Sequence, residues 1–132
     1  MSLIEVQSGA VRYIVNDVDE SVDFYTKKLG FTVDMHVEHA FASLSLKNIR
    51  LYINRPGAGG AGQAMSDGTV PAPGGWNRFQ LEVKDLESVV GKLKKEGATF
   101  RNEIISGVGG KQALLEDPSH NIIELFESGN AK

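Results

Sequence analysis

The chain of 132 residues contains no cysteine, which excludes disulfide bonds, thiolate nucleophiles and cysteine-ligated metal sites. It also lacks an apolar run as long as a membrane span, and residues 1–5 lack the basic and apolar regions of a signal peptide. A formal net charge of only −3 gives no electrostatic reason to expect binding to nucleic acid or to an anionic membrane. We therefore expect a cytoplasmic protein with neither partner, folded as a single domain over residues 1–132.

What the chain does contain is a repeat. Residues 11–31 and residues 79–98 each read as an alternating strand ending in Val-x-Asp, followed by an amphipathic helix and a glycine. Asp17 and Asp85 mark equivalent positions, where a carboxylate caps the first turn of a helix. A long repeat that is present only twice indicates a duplicated half-domain rather than a solenoid. Because two matched halves tend to build a site between them, we expect the functional site at their junction.

Each half continues from its helix into three further strands. Gly30 and Gly97 are predicted to end the two helices as left-handed caps. Periodic apolar positions predict the remaining strands at residues 31–37, 41–46, 49–54, 99–105, 112–116 and 122–126. The sequence thus predicts an α+β fold built from two tandem βαβββ modules, the first over residues 9–55 and the second over residues 76–127.

A connector over residues 56–75 separates the two modules. It holds three of the four prolines and seven glycines, so it is predicted to be a loop. Loops of this length in a compact domain are usually functional or disordered. Two interpretations stay open: a passive crossing between the modules, or a lid over the site with Met65 and Trp76 as its apolar contacts.

Motifs in both halves resemble the vicinal oxygen chelate superfamily, which includes glyoxalases, extradiol dioxygenases, and fosfomycin and bleomycin resistance proteins. They are V-N-D-V-D-E-S-V-D-F-Y and L-G-F in the first half, V-K-D-L-E-S-V-V and E-G-A in the second, and the closing string L-E-D-P-S-H-N-I-I-E-L-F-E. The resemblance covers about residues 9–127. It implies a curled eight-stranded sheet that encloses a cup, with helices outside, and it suggests a homodimer.

Superfamily members that hold a metal usually use four side chains, and the resemblance places these at Ala10, Arg78, Glu124 and either Leu51 or Tyr52. Strand parity favours Tyr52, because Leu51 belongs to the apolar face. Alanine has no donor atom and a guanidinium stays cationic, so Glu124 is the only retained ligand-type position. One carboxylate does not hold a transition metal tightly. We therefore expect no cofactor and disfavour a divalent metal, with Arg78 facing Glu124 in place of the ion.

The three histidines are not expected to supply the missing ligands. His36 and His39 are three residues apart, and in an extended chain that spacing sends side chains to opposite faces. We interpret them as surface or cup-wall residues, with a displaced metal pair as the alternative. His120 lies in the Asp-Pro turn, where exposure to solvent is usual.

Strand parity also predicts which other side chains line the cup. The face that carries Glu124 bears charged, aliphatic and aromatic groups, whereas the opposite face is nearly all apolar. Glu124 is the candidate catalytic residue. The predicted ligand-binding residues are Arg12, Arg50, Tyr52, Trp76, Arg78, Gln80, Glu82 and Phe126. Such a mixture suits a small polar organic molecule with an apolar part.

Two functions remain open from the sequence. The first is binding of a small organic molecule in the cup without a metal, similar to the bleomycin-resistance branch. The second is a glyoxalase-like lyase or isomerase, or a dioxygenase-type enzyme. It would use Glu124 as base or metal ligand and Arg78 or Tyr52 to stabilise an oxyanion. The sequence does not identify the ligand or substrate.

Overall fold

The structure, a computed structural model, describes residues 2–129. In chain order its elements are β1 (Val11–Ile14), α1 (Val18–Asp23), β2 (Thr32–Val37), β3 (Phe41–Leu46), β4 (Ile49–Asn54), α2 (Gly59–Gly62), β5 (Phe79–Glu82), α3 (Leu86–Lys95), β6 (Thr99–Phe100), β7 (Ile105–Ser106), β8 (Gly110–Glu116) and β9 (Ile122–Ser128). A π-helical turn over Phe24–Lys28 continues α1. No helix within residues 2–129 is long and apolar enough to cross a membrane.

The two halves fold into two sheets with matching topology. The first sheet has the order β1-β4-β3-β2, and the second has the order β5-β9-β8-β6 with β7 paired to β8. In each half the first strand lies parallel to the last, as β1 with β4 and β5 with β9, and the other pairs are antiparallel. The predicted α+β fold of curled sheets is confirmed.

The helix boundaries follow the predicted caps. The Asp17 side chain accepts a hydrogen bond from the Glu20 N–H at 3.0 Å, and Asp85 accepts one from the Ser88 N–H at 3.2 Å. Gly30 and Gly97 adopt φ angles of 85° and 87°, which only glycine adopts without steric cost. The carboxylates thus satisfy orphan N–H groups at the start of each helix, and the glycines let the chain reverse at its end.

The second module differs from the prediction at one strand. The predicted strand over residues 99–105 is divided into β6 and β7, so the described chain has nine strands rather than eight. Between them, the Asn102 side chain accepts a hydrogen bond from the Leu114 N–H at 2.9 Å. A side chain thus takes the place of a backbone carbonyl in the ladder, which is why pairing breaks there.

One hydrophobic core joins the two modules. Its buried cluster takes side chains from α1, α3 and both sheets. Tyr13 on β1 crosses between the modules, because its hydroxyl donates to the Ile122 carbonyl at 2.6 Å and accepts from the Phe79 N–H at 3.2 Å. Burial raises the pKa of Tyr13 to about 12, so the hydroxyl stays protonated and keeps both hydrogen bonds.

Candidate functional site

The register of the parallel strand pairs decides which side chains share the polar face of each sheet. On the first sheet Arg12 lies opposite Tyr52, and on the second sheet Gln80 lies opposite Glu124. Their neighbours in sequence point to the other face, where Leu51, Leu125 and similar residues are buried in the core. Strand alternation therefore places the predicted site residues of each half on one surface.

Arg78, Gln80 and Glu124 form the best-defined polar group on this surface. Arg78 Nε lies 3.0 Å from Glu124 Oε1, and Gln80 Nε2 donates to Glu124 Oε2 at 2.8 Å. Exposure of the side chains is 28% for Arg78 and 13% for Glu124. The predicted pairing of Arg78 with Glu124 is confirmed. Because both carboxylate oxygens are engaged, the charge of Glu124 is balanced by protein groups alone.

The residues at the four ligand-type positions do not fit a divalent metal. Glu124 is the one carboxylate among them, and a cation would have to compete with Arg78 for Oε1 and with Gln80 for Oε2. Ala10 offers no donor atom, and the Arg78 guanidinium would repel the ion. Tightly held transition metals in proteins take three or four protein donors, so we assign no chemistry to a metal at this position.

The polar face of the first sheet is built around Tyr52. The Arg12 guanidinium lies 5.1 Å from the centre of the Tyr52 ring, within the range of a cation–π contact, and it also donates to the Asn54 side-chain oxygen. Phe41 meets Tyr52 edge-on, with the ring centres 5.9 Å apart. This half of the surface therefore combines a cation held in place with two aromatic rings.

Other predicted site residues are less closely connected. Arg50 and Glu82 are exposed and make no polar contact with another predicted site residue within residues 2–129. Phe126 lies opposite Glu82 in the strand register. The Trp76 ring is 66% exposed, and its carbonyl accepts a hydrogen bond from Arg78 at 3.3 Å.

Arg101 and Glu116 belong to the same surface and were not predicted from the sequence. The Arg101 guanidinium lies 5.2 Å from the centre of the Trp76 ring, and its Nε donates to Glu116 at 2.9 Å. His120 bonds the other oxygen of Glu116, and these hydrogen bonds from His120 and Arg101 hold the pKa of Glu116 below its usual range. Strand parity along β8 could have indicated Glu116. This residue pairs with Ile122, which lies two residues before Glu124 on β9 and therefore on the same face of the sheet. Nothing in the sequence pattern marked Arg101.

The predicted orientation of His36 and His39 on opposite faces was wrong, because the two side chains lie together. His36 Nε2 lies 2.8 Å from one oxygen of Asp19, and His39 Nδ1 lies 2.6 Å from the other. The reason is that His39 falls in a turn after β2 with a φ of 69°, so the alternation of an extended chain does not apply to it. Both residues are exposed, as surface residues are, and both contact the first turn of α1.

The connector runs over the surface between the modules. Residues 63–70 are all exposed, and Met65 is 52% exposed. At its far end the Gly74 N–H donates to the Asn121 side chain at 2.8 Å. Met65 and Trp76 are both exposed, and the Trp76 ring contacts Arg101 on the polar surface. The passive crossing and the lid both stay predictions.

A groove of about 750 Å³ lies between the end of the first helix, the β3–β4 turn, β5 and α3. Of the predicted site residues, only Gln80 and Glu82 border it. Because Gln80 also donates to Glu124, the groove adjoins the polar surface at this residue, whereas most of its lining comes from other parts of the chain.

Known proteins with similar sequences and structures agree with this architecture. Bleomycin resistance proteins of Geobacillus stearothermophilus and Staphylococcus aureus are 25% identical over 120 residues, which cover 86% of this chain and 90% of theirs. Lactoylglutathione lyase from Agrobacterium tumefaciens is similar in structure, with a TM-score of 0.69 and 14% identity over 93% of this chain and 96% of that one. A glyoxalase/bleomycin resistance protein/dioxygenase from Nocardioides has a TM-score of 0.69 and 18% identity, covering 98% and 89% of the two chains. At such identities the structural likeness shows the fold alone.

The sequence itself shows the family. Residues 7–125 match the profile of the Glyoxalase/Bleomycin resistance protein/Dioxygenase superfamily, and the match takes in both modules and the connector. The chain therefore belongs to this superfamily, the vicinal oxygen chelate group that its two half-motifs resemble.

Proposed function

We propose that this protein binds a small polar organic molecule, with an apolar part, on the polar faces of its two sheets and without a metal. The observation that carries the proposal is the pairing of both Glu124 oxygens with Arg78 and Gln80, at the position where metal-binding relatives are expected to hold an ion. The curated relatives are named bleomycin resistance proteins, which accords with a binding role.

The chemistry of the surface supports such a ligand. Arg78 keeps more than a quarter of its side chain exposed, so it can contact a ligand while it remains paired with Glu124. Arg12 is already held by Tyr52 and Asn54, so little conformational entropy would be lost when it meets a ligand. Rings such as Tyr52 and Phe126 provide apolar area, and ligand sites commonly combine a few fixed polar groups with such area.

Calorimetric titration with metal-free bleomycin as the first probe tests this proposal. We expect binding by protein that has been treated with a chelator, and an affinity about tenfold lower for Arg78→Ala, because about 1.4 kcal/mol corresponds to a factor of ten. Lys95→Ala is the matched control, since Lys95 is an exposed cation on α3 away from this surface. Stoichiometric bound metal that is lost in Glu124→Gln, or binding that Arg78→Ala leaves unchanged, would contradict the proposal.

The enzyme alternative requires Glu124 to accept a proton or a metal. Each of its oxygens accepts one hydrogen bond, which leaves a second lone pair on each for a proton, so the enzyme is kept as the alternative function. Incubation with lactoylglutathione, the compound in the name of one protein of similar structure, distinguishes an enzyme from a binding protein. Turnover that is absent in Glu124→Gln would favour the enzyme.

The homodimer stays a prediction, which light scattering of the purified protein checks.

A further inference from the structure

The groove between the modules is lined along one side by the open edge of β5. Residues 80–83 all border it, which shows that the groove faces the edge of the strand rather than one of its faces. In its sheet, β5 pairs only with β9. The Val83 N–H donates to the Phe126 carbonyl at 2.8 Å, so by the alternation of a parallel ladder the N–H groups of Gln80 and Glu82 point away from β9. The groove therefore offers unpaired backbone donors.

The interior of the groove is aliphatic. Half of its sixteen bordering residues are leucine, isoleucine or valine, among them Leu46 at the end of β3, Leu81 from β5 and Val89 from α3, and no aromatic residue borders it. Its volume of about 750 Å³ lies in the range of small-molecule sites. A flexible hydrocarbon chain fits such a lining better than a planar ring system, which gains from stacking on aromatic side chains.

The rim of the groove is predominantly cationic. Four lysines border it against two glutamates, Glu82 and Glu96. Lys28 is engaged, because its Nζ donates to the Glu96 carbonyl at 3.0 Å, and Lys27 is paired with Asp23 at 3.6 Å. Lys47 and Lys92 have no hydrogen-bond or ion-pair partner in the described part of the chain, so their charges are available to an anion.

The backbone at Lys47 adds a second observation. Its φ of 54° lies in the left-handed region, where glycine or asparagine is usual and a lysine carries a conformational cost. That cost is carried at the one turn that borders the groove, by a residue whose ammonium group has no protein partner. The two-residue loop between β3 and β4 imposes this angle, and the turn thereby fixes the backbone of Lys47 at the rim of the groove.

We propose that this groove binds an aliphatic monocarboxylate. The hydrocarbon chain packs on the leucine, isoleucine and valine side chains, and the carboxylate lies at the rim, where Lys47 and Lys92 supply charge and the edge of β5 supplies N–H donors. Neither Arg78 nor Glu124 borders this groove, and the proposed carboxylate contacts do not involve them, so the proposal does not depend on the function proposed for the polar faces of the sheets.

Calorimetric titration with decanoate below its micelle concentration tests the proposal. We expect one decanoate per chain, hexanoate to bind more weakly because fewer methylene groups are buried, and decyltrimethylammonium to bind at least about tenfold more weakly. The variant Lys47→Glu/Lys92→Glu should lose at least about tenfold in decanoate affinity. Lys95→Glu, on the same helix as Lys92 but outside the groove, should stay within about twofold of the wild type.

Lys47→Asn is the second variant, for use if the double variant does not fold. Asparagine accepts the left-handed conformation of the turn but carries no charge. The Lys47→Asn variant should therefore also bind decanoate more weakly. Arg12→Ala, on the polar face of the first sheet and without a contact to a residue of the groove, should leave decanoate binding unchanged, which keeps this proposal separate from the one above. Absence of decanoate binding or equal affinity for decanoate and decyltrimethylammonium would overturn the proposal. So would a dimer that the double charge reversal dissociates, since the groove would then be an interface.

Discussion

Tyr25 ties the first helix to the second module through a single buried hydroxyl. The ring is fully buried, and its hydroxyl donates to Asp117 at 2.8 Å. Burial raises the pKa of Tyr25 well above its usual range, and the nearby charge of Asp117 raises it further. The hydroxyl therefore remains a donor at neutral pH.

Replacement of Tyr25 by phenylalanine should destabilise the protein. Asp117 is itself buried, at 3% exposure, and would lose one of its donors, so we expect about 2 kcal/mol of lost unfolding free energy. Urea unfolding followed by circular dichroism measures it. Tyr52→Phe is the control, because the Tyr52 hydroxyl makes no hydrogen bond in the described residues. Equal losses of unfolding free energy for Tyr25→Phe and Tyr52→Phe would contradict the stabilising role of the hydrogen bond between Tyr25 and Asp117.

Gly110 is required by the close approach of two strands. Its φ is 152°, and a Cβ atom added there would collide with the Glu127 carbonyl oxygen and lie 2.7 Å from the Gly129 nitrogen. Gly110→Ala should therefore cost more than about 1 kcal/mol of unfolding free energy, since neither conformation nor space allows the methyl group. Gly107→Ala, where nothing lies within 4 Å, should leave the thermal midpoint nearly unchanged. A similar midpoint for both variants would be the contrary result.

Sequence reasoning reached the contacts that strand parity controls and missed those made outside regular strands. Arg78 directly precedes β5, so alternation along the chain indicates the face of both Arg78 and Glu124, and Arg78 Nε lies 3.0 Å from Glu124 Oε1. Arg101 lies between β6 and β7, where the ladder is interrupted, so no periodicity indicates where its side chain points. Its contact with Trp76 depends on the three-dimensional path of two irregular segments.

At the level of elements, α1 is stabilised at its start by Asp19. Its carboxylate accepts from the His39 N–H at 3.1 Å and contacts both imidazoles. These hydrogen bonds, that of the His39 backbone first, lower the pKa of Asp19 from its ordinary value of 3.8. The junction between α1 and the turn after β2 thus contains an ionised carboxylate at neutral pH.

The pH dependence of unfolding should report on Asp19. A carboxyl group whose pKa is lowered on folding contributes stability that is present above its unfolded pKa and is lost as the pH falls through the folded pKa. The difference in unfolding free energy between wild type and Asp19→Asn should therefore shrink as the pH falls below 3.8. Urea titrations at acid pH measure it. A difference between the two proteins that grows in acid would refute this role of Asp19.

Element boundaries were predictable where local chemistry decides them. Asp17, Asp85, Gly30 and Gly97 act through caps that involve only neighbouring residues, and all four behave as predicted. The division of the predicted strand over residues 99–105 was not predictable, because it depends on Asn102 reaching Leu114 on β8. Pairing across sequence distance overrides the local apolar pattern there.

On the scale of the whole molecule, contacts between folded elements rather than the connector hold the two modules together. The modules share one core, and hydrogen bonds cross between them from Tyr13 to Ile122, from Tyr25 to Asp117, and from the Asn16 N–H to Ser119. By contrast, hydrogen bonds of residues 63–70 stay within residues 60–70. The repeat in the sequence predicted two modules, but the residues that join them are buried polar groups that no repeat pattern reveals.

Limited digestion with proteinase K should therefore cut first within residues 63–70, since exposed segments without anchoring contacts are the preferred sites of nicking. We expect two fragments on a denaturing gel and one peak on a sizing column, with the circular dichroism of the intact protein. Pro56→Ala, at the start of the same connector but outside the segment, should leave the site of cutting unchanged. Early cuts within β8 or β9 would contradict this expectation.

The exposed segment over residues 63–70 also implies that the two modules can fold together without being joined in one polypeptide. Because the peptide links in residues 63–70 carry none of the hydrogen bonds that join the modules, the two modules expressed as separate polypeptides should find each other and reconstitute the native assembly. The chain would then serve as a split reporter, whose reassembly is driven by the same buried tyrosines that bridge its halves.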